Sequence, residues 1–248
     1  MRPIRTKRKA SSRTTGFFPG ATPRPMLCSL NEIQALATKA ARGAGLPWGV
    51  ADEAGRASRW LEARGFAGLS ALDGALDRLS APDWRRRFPI PGAAVWRAEG
   101  GEIDGLFAGI ALADRAGRPI PRAGAGALVL SRVRWPLLTM PFLATVAGAT
   151  GERLAVSPGQ DTPVIEVGPH VISETCRNIE GLPLAAFVRV ERAEDGIALQ
   201  GTARLDGSIP IDKEVYARLD RRAAQTYVAE SAESQTRGAG GGNLIETD

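Results

Sequence analysis

Two stretches of the chain concentrate residue types that can bind charge or move a proton. In the first, Trp48 and Gly49 follow a Gly/Pro-rich turn, and Glu53, Arg56 and Arg59 recur at three-residue intervals behind them. Helical spacing makes these three neighbours on one face, where an indole, a carboxylate and two guanidiniums could line a pocket for a small anion. The second stretch runs from Thr226 to Gly238 and contains Tyr227, Ser231, Ser234 and Arg237. An arginine beside successive glycine amides can surround a carboxylate or a phosphate. Glu53 and Tyr227 are therefore the acid/base candidates, and Trp48, Arg56, Arg59, Ser231, Ser234, Arg237 and Gly238 the candidate ligand-binding residues. The competing structural reading is a solvated helix face, whose i,i+3 ion pairs contribute a few tenths of a kcal/mol, followed by a glycine-rich loop.

Other chemistries lack their parts. His170 is the sole histidine, and Glu174 and Cys176 beside it fall short of the three or four ligands at defined spacing that zinc requires. A Ser-His-Asp or Cys-His triad would have to use that same histidine, and no G-x-S-x-G elbow presents a serine. Gly124/Gly126 and Gly238/Gly240 have no third glycine of a dinucleotide fingerprint, and no GK[ST] occurs. Lys39 and Lys213 are the only lysines after residue 9, and no apolar pocket in the sequence marks either for Schiff-base chemistry. Neither a metal nor a cofactor is called for.

The elements that must position these residues begin at Ser29. The Ser29-x-x-Glu32 pattern forms a capping box, and Leu30, Ile33, Leu36, Ala37, Ala40 and Ala41 recur at helical spacing until Gly43, Gly45 and Pro47 end the run. A second helix is expected from about Val50 to Arg64 and a third from about Ala71 to Leu79. Pro89, Pro91 and Gly92 mark a candidate sub-boundary near 88–92. From Ala93 to Asp212 short apolar runs alternate with turns and read mainly as strands, among them 105–114 and 140–148. Phe187–Arg192 and Ile197–Leu205, joined through Asp195-Gly196, read as a hairpin, and 169–181 as a possible helix. Lys213 to about Glu233 carries Val215, Leu219, Ala223 and Tyr227 at helical intervals before a glycine-rich tail. The resulting fold class is α+β: an N-terminal helical segment, a strand-rich middle and a C-terminal helix.

The formal charge of +5 over 248 residues is local in origin. Arg2, Arg5, Lys7, Arg8, Lys9, Arg13 and Arg24 give the first 25 residues seven positive charges and no acid, which leaves 5 − 7 = −2 for the remainder. That arm reads as a basic tail or as translated leader upstream of a start at Met26, with residues 26–248 as one unit. Nucleic acid is not expected as a partner, apart from non-specific contact that the charge of the arm would allow. A helix-turn-helix using Arg56, Arg59 and Arg64 is disfavoured by Asp52, Glu53 and Glu62 on the same helix and by a connection longer than the usual turn. No stretch is apolar enough for a secretory h-region or a membrane span, so a cytoplasmic, bacterial location is expected. Cys28 and Cys176 stand 148 positions apart and read as reduced thiols.

The block S-L-N-E-I-x-A-L-x-x-K-A-A-R-G-A-G-L-P-W-G-V-A-D-E-A-G-R-A-x-R-W-L resembles the opening of a conserved bacterial domain family of unknown function. The segment Thr226-Tyr227-Val228, Ser231, Ser234, Arg237 and Gly238-Ala239-Gly240 is similar to that family's ending, although Ala229 stands where the family has proline. The resemblance implies a full-length family unit beginning near Met26 and transfers no reaction. The functional expectation is a small-molecule protein, enzyme or ligand-binding accessory, that recognises an anionic metabolite through arginine and backbone amides. The alternatives are a non-catalytic subunit docking on a metabolic enzyme and, behind it, a DNA-binding regulator.

Overall fold

In the computed structural model the described residues are 25–79, 83–92, 94–115, 120–121, 126–160, 162–193, 201–202, 205 and 207–226. A short strand β1 (Met26–Cys28) leads into α1 (Leu30–Gly43). The expected capping box is present in full: the Ser29 amide donates to Glu32 at 2.7 Å and the Glu32 amide to Ser29 Oγ at 3.3 Å. Helices α2 (Trp48–Glu62) and α3 (Gly68–Leu76) follow. Trp48 is the first residue of α2, not the end of the turn, because Pro47 serves as its N-cap. Gly45, at φ +89°, turns the chain out of α1 where a residue with a side chain would be strained.

The middle of the chain contains β2 (Val95–Trp96), β3 (Ile103–Asp104), α4 (Gly105–Ala113), β4 (Leu128–Arg134), α5 (Met140–Thr150), β5 (Leu154–Ser157), β6 (Ile165–Val167) and β7 (Leu184–Arg192). Two expectations are corrected here, since 105–114 and 140–148 are helical. Both runs are apolar on every side, so their periodicity could not separate a buried strand from a buried helix. The Asp104 side chain, accepting from the Leu106 amide at 3.0 Å, starts α4, and Gly151 at φ +71° ends α5. The 169–181 stretch is helical only as a 3-10 segment, Glu174–Ile179. The second arm of the expected hairpin lies largely outside the described residues. β7 instead holds the centre of a mixed sheet of order β2-β4-β7-β5-β6, antiparallel to both β4 and β5. β3 adds to β4 on the same side as β2, and both run parallel to it.

Strand β8 (Ile209–Ile211) returns to pair with β1, and α6 (Lys213–Ala223) then packs along α1, continued by a 3-10 turn, Ala224–Thr226. Two glycines permit this closeness. A methyl group at Gly43 would stand 1.8 Å from the Arg222 carbonyl oxygen, and one at Gly55 would stand 2.1 Å from Thr38 Oγ1, which marks the close approach of α6 and of α2 to α1 respectively. α4 and α5 pack on each other beneath the sheet, α4 against β3 and β4 and α5 against β6 and α2, so that one continuous core joins helices and sheet. Cys28 and Cys176 are buried and unbridged. Among the described residues no helix is long and apolar enough to cross a membrane.

Candidate functional site

The capped, alanine-rich helix α1 buries Ile33, Leu36, Ala37, Ala40 and Ala41. Its remaining face bears Asn31, Gln34, Ala35, Thr38, Lys39 and Arg42, spaced three and four residues apart. This face is the floor of a groove of about 810 Å³, walled by Trp48 at the start of α2 and by Gln225 and Thr226 beyond α6. From Asn31 to Arg42 the floor extends about 16 Å at the helical rise per residue. The far wall exists because Gly43 lets the end of α6 come down to α1.

Arg42 is the most constrained side chain in the groove. Its Nη1 donates to the Leu46 carbonyl oxygen and its guanidinium lies 4.4 Å from the centre of the Trp48 ring. It therefore fastens the turn and stacks on the indole at once. Its Nε–H is enclosed and finds no acceptor among the described residues. Trp48 itself is 66% exposed, leaving one face of the indole to the groove and solvent. At the other end, Arg59 reaches across from α2 and donates through Nη1 to Asn31 Oδ1 and, at 3.3 Å, to Gln34 Oε1. Arginine can only donate. The two amides must present their oxygens to Arg59, which leaves their NH₂ groups as donors. The lining thus presents a guanidinium, amide donors and the positive charge of Lys39, with no carboxylate among the described lining residues.

The expected site residues divide in three. Trp48 lines the groove, and Arg59 orients two of its amides. Glu53 and Arg56 pair with each other at 2.6 Å on the exposed part of α2, where Glu53 holds the Arg56 guanidinium above its usual range. Neither lines the groove. Tyr227, Ser231, Ser234, Arg237 and Gly238 lie outside the described residues. Sequence reasoning did not propose Asn31, Gln34, Thr38, Lys39 or Arg42 as site residues, although their helical spacing was a readable signal of one continuous polar face.

Two carboxyl groups are displaced by burial, and both cap helices. Burial pushes Glu62 up to about 7 against the Leu69 and Gly68 amides it accepts from, with the nearby Glu180 charge adding to the rise. Asp104 is pushed up to about 6 by burial, opposed by the Leu106 amide and by the charges of Arg87 and Arg134. Neither lines the groove, so these shifts belong to the starts of α3 and α4. Burial also drives the Cys176 thiol far up, which makes it inert. Among the described residues no group of three or more His, Cys, Asp or Glu side chains could hold a metal ion.

A family model described as "Protein of unknown function (DUF3726)" matches residues 28–116, from the end of β1 to just beyond α4, and so includes α1, α2 and most of the groove lining. No curated protein and no solved structure matches the chain.

Proposed function

We propose that the α1 groove binds a small anionic metabolite bearing a planar or apolar portion. The observation that carries this reading is the lining itself: Arg42 and the Asn31 and Gln34 amides supply donors, Lys39 adds positive charge, and Trp48 offers an indole face beside Arg42, with no carboxylate among the described lining residues. An anion would gain charge-assisted hydrogen bonds at a prepaid geometry, since Arg42 is already held by Leu46 and Trp48. Tyr227, Ser231, Ser234, Arg237 and Gly238 are retained as proposed ligand-binding residues on the sequence alone. Glu53, tied to Arg56, has no part in it.

The test is thermal unfolding of the full chain against carboxylates, phosphates, nucleotides and amino acids, repeated with Arg42→Ala and Trp48→Ala. A compound at one hundred times its Kd stabilises by about 2.7 kcal/mol, or roughly 2–4 °C per kcal/mol in a protein of this size. The expected result is a shift with one compound class that both variants abolish while their own unfolding stays cooperative. A shift with no compound, or one that survives Arg42→Ala, defeats the reading. The exposed indole would then favour a docking subunit, for which Trp48→Ala should abolish capture of a partner enzyme.

A further inference from the structure

We propose that the β3–β4 edge forms a second anion site, for a phosphate group, built from Arg87, Arg132 and Arg134 and occupied in this conformation by the carboxylate of Glu102. Arg132 Nη2 donates to Glu102 Oε1 at 2.7 Å, while Arg134 Nη1 and Arg87 Nη1 donate to Oε2 at 3.2 and 3.4 Å. Three guanidiniums carry fifteen N–H donors between them, and one carboxylate has about four lone-pair positions to fill. The donors greatly exceed what Glu102 can use. Arg132 is half exposed, so the surplus opens to solvent, whereas Arg134 is nearly enclosed and its Nε finds no acceptor among the described residues.

The backbone is distorted to make this arrangement. β2 pairs with β4 at Val129 and Leu130, and β3 pairs with it at Val133 and Arg134, so residues 97–102 loop out between them. At that interruption Arg132 adopts φ +51°, a left-handed conformation rarely taken by a residue with a side chain, and Trp135 adopts φ +49°. Left-handed backbone at such residues persists where the surroundings enforce it, and it gathers at binding sites. Arg87 is positioned independently, because the flanking Trp84 and Phe88 rings both pack on Phe107 of α4, at 5.8 and 5.3 Å.

The charge balance selects the ligand. With Glu102 turned away, the acid that acts on Arg87 and Arg134 among the described residues is the buried Asp104, so the three guanidiniums carry an excess of two positive charges that matches a phosphate dianion. A monocarboxylate could only replace Glu102 like for like, against the high effective concentration of a tethered group. Phosphate brings a second charge and the oxygens for forked arginine contacts. Gly101, at φ +77° with open space beside it, immediately precedes Glu102 and lets the carboxylate swing out.

Titration of the full chain with inorganic phosphate and with pyrophosphate at low ionic strength tests this. Glu102→Gln removes the tethered competitor and should tighten phosphate binding about tenfold or more, the effect of releasing a charge-assisted hydrogen bond. Arg132→Gly should abolish binding while unfolding at the same or a higher temperature, since glycine accepts the left-handed backbone without strain. Arg56→Ala, at an exposed arginine outside both the groove and this cluster, should leave phosphate binding unchanged, which separates the cluster from general surface charge. Undiminished binding in Arg132→Gly overturns the proposal. So does a failure of Glu102→Gln to tighten it, or an absence of phosphate binding in both the native chain and Glu102→Gln. If Glu102→Gln does not fold, the comparison of Arg132→Gly with the native chain decides alone.

Discussion

Glu62 shows how one buried carboxyl group couples the fold to pH. It faces the first amides of α3, accepting from Leu69 at 2.8 Å, and its folded pKa of about 7 lies above the ordinary value near 4.3. Between these values the native state holds a proton that the unfolded chain has released, so this group's contribution is complete below about pH 4 and is lost as the pH rises through 7. Glu62→Gln keeps an oxygen to accept from Leu69 and carries no charge. Its melting temperature should match that of the native chain near pH 4 and exceed it increasingly up to about pH 8. A difference independent of pH would show that Glu62 acts there by shape alone. Sequence reasoning saw Glu62 as a surface acid opposing DNA binding, because its burial depends on α3 folding back over the end of α2.

The helices were the most legible elements where their two faces differ in chemistry. α1 carried its cap, its alanine stripe and its stop in consecutive residues, and the structure keeps all three. α4 and α5 were read as strands because they are apolar all round and their faces are distinguished only by what packs on them. Close packing of α1 gives a graded prediction. A methyl group at Gly43 meets the Arg222 backbone oxygen, which can move only with α6, whereas at Gly55 the nearest atom is the Thr38 hydroxyl, which can rotate, ahead of the Gln34 carbonyl oxygen at 3.0 Å. Overpacking typically costs about 1–3 kcal/mol, offset by up to about 1 kcal/mol of helix propensity for alanine over glycine. Gly43→Ala should therefore lower the chemical-denaturation midpoint more than Gly55→Ala and should weaken ligand binding in the groove, whose far wall it displaces. Equal effects would mean that α6 yields as easily as a side chain.

At the scale of the whole molecule, the segment matched by the family model does not contain its own partners. Within 28–116, β2 and β3 lack β4, Cys28 lacks its partner Ile209 on β8, and α1 lacks α6. Residues 28–116 expressed alone should show no cooperative thermal transition, while the full chain melts as one unit by circular dichroism; a sharp transition in the fragment would show that the helices are a core of their own. The sequence by itself determined the α+β class, the capped first helix, its turn and the return of a C-terminal helix, because capping, periodicity and glycine turns act over a few residues. It also led to arginine and tryptophan as the groups proposed for binding. Only the tertiary structure decided which of them meet. Arg59 faces Asn31 and Gln34 across a helix pair, and Arg87, Glu102, Arg132 and Arg134 converge from a 3-10 segment, a loop and a strand up to 47 residues apart. Those meetings follow from the pairing of β3 with β4 and from backbones touching at Gly43 and Gly55, and such non-local contacts leave no local period in a sequence to be read.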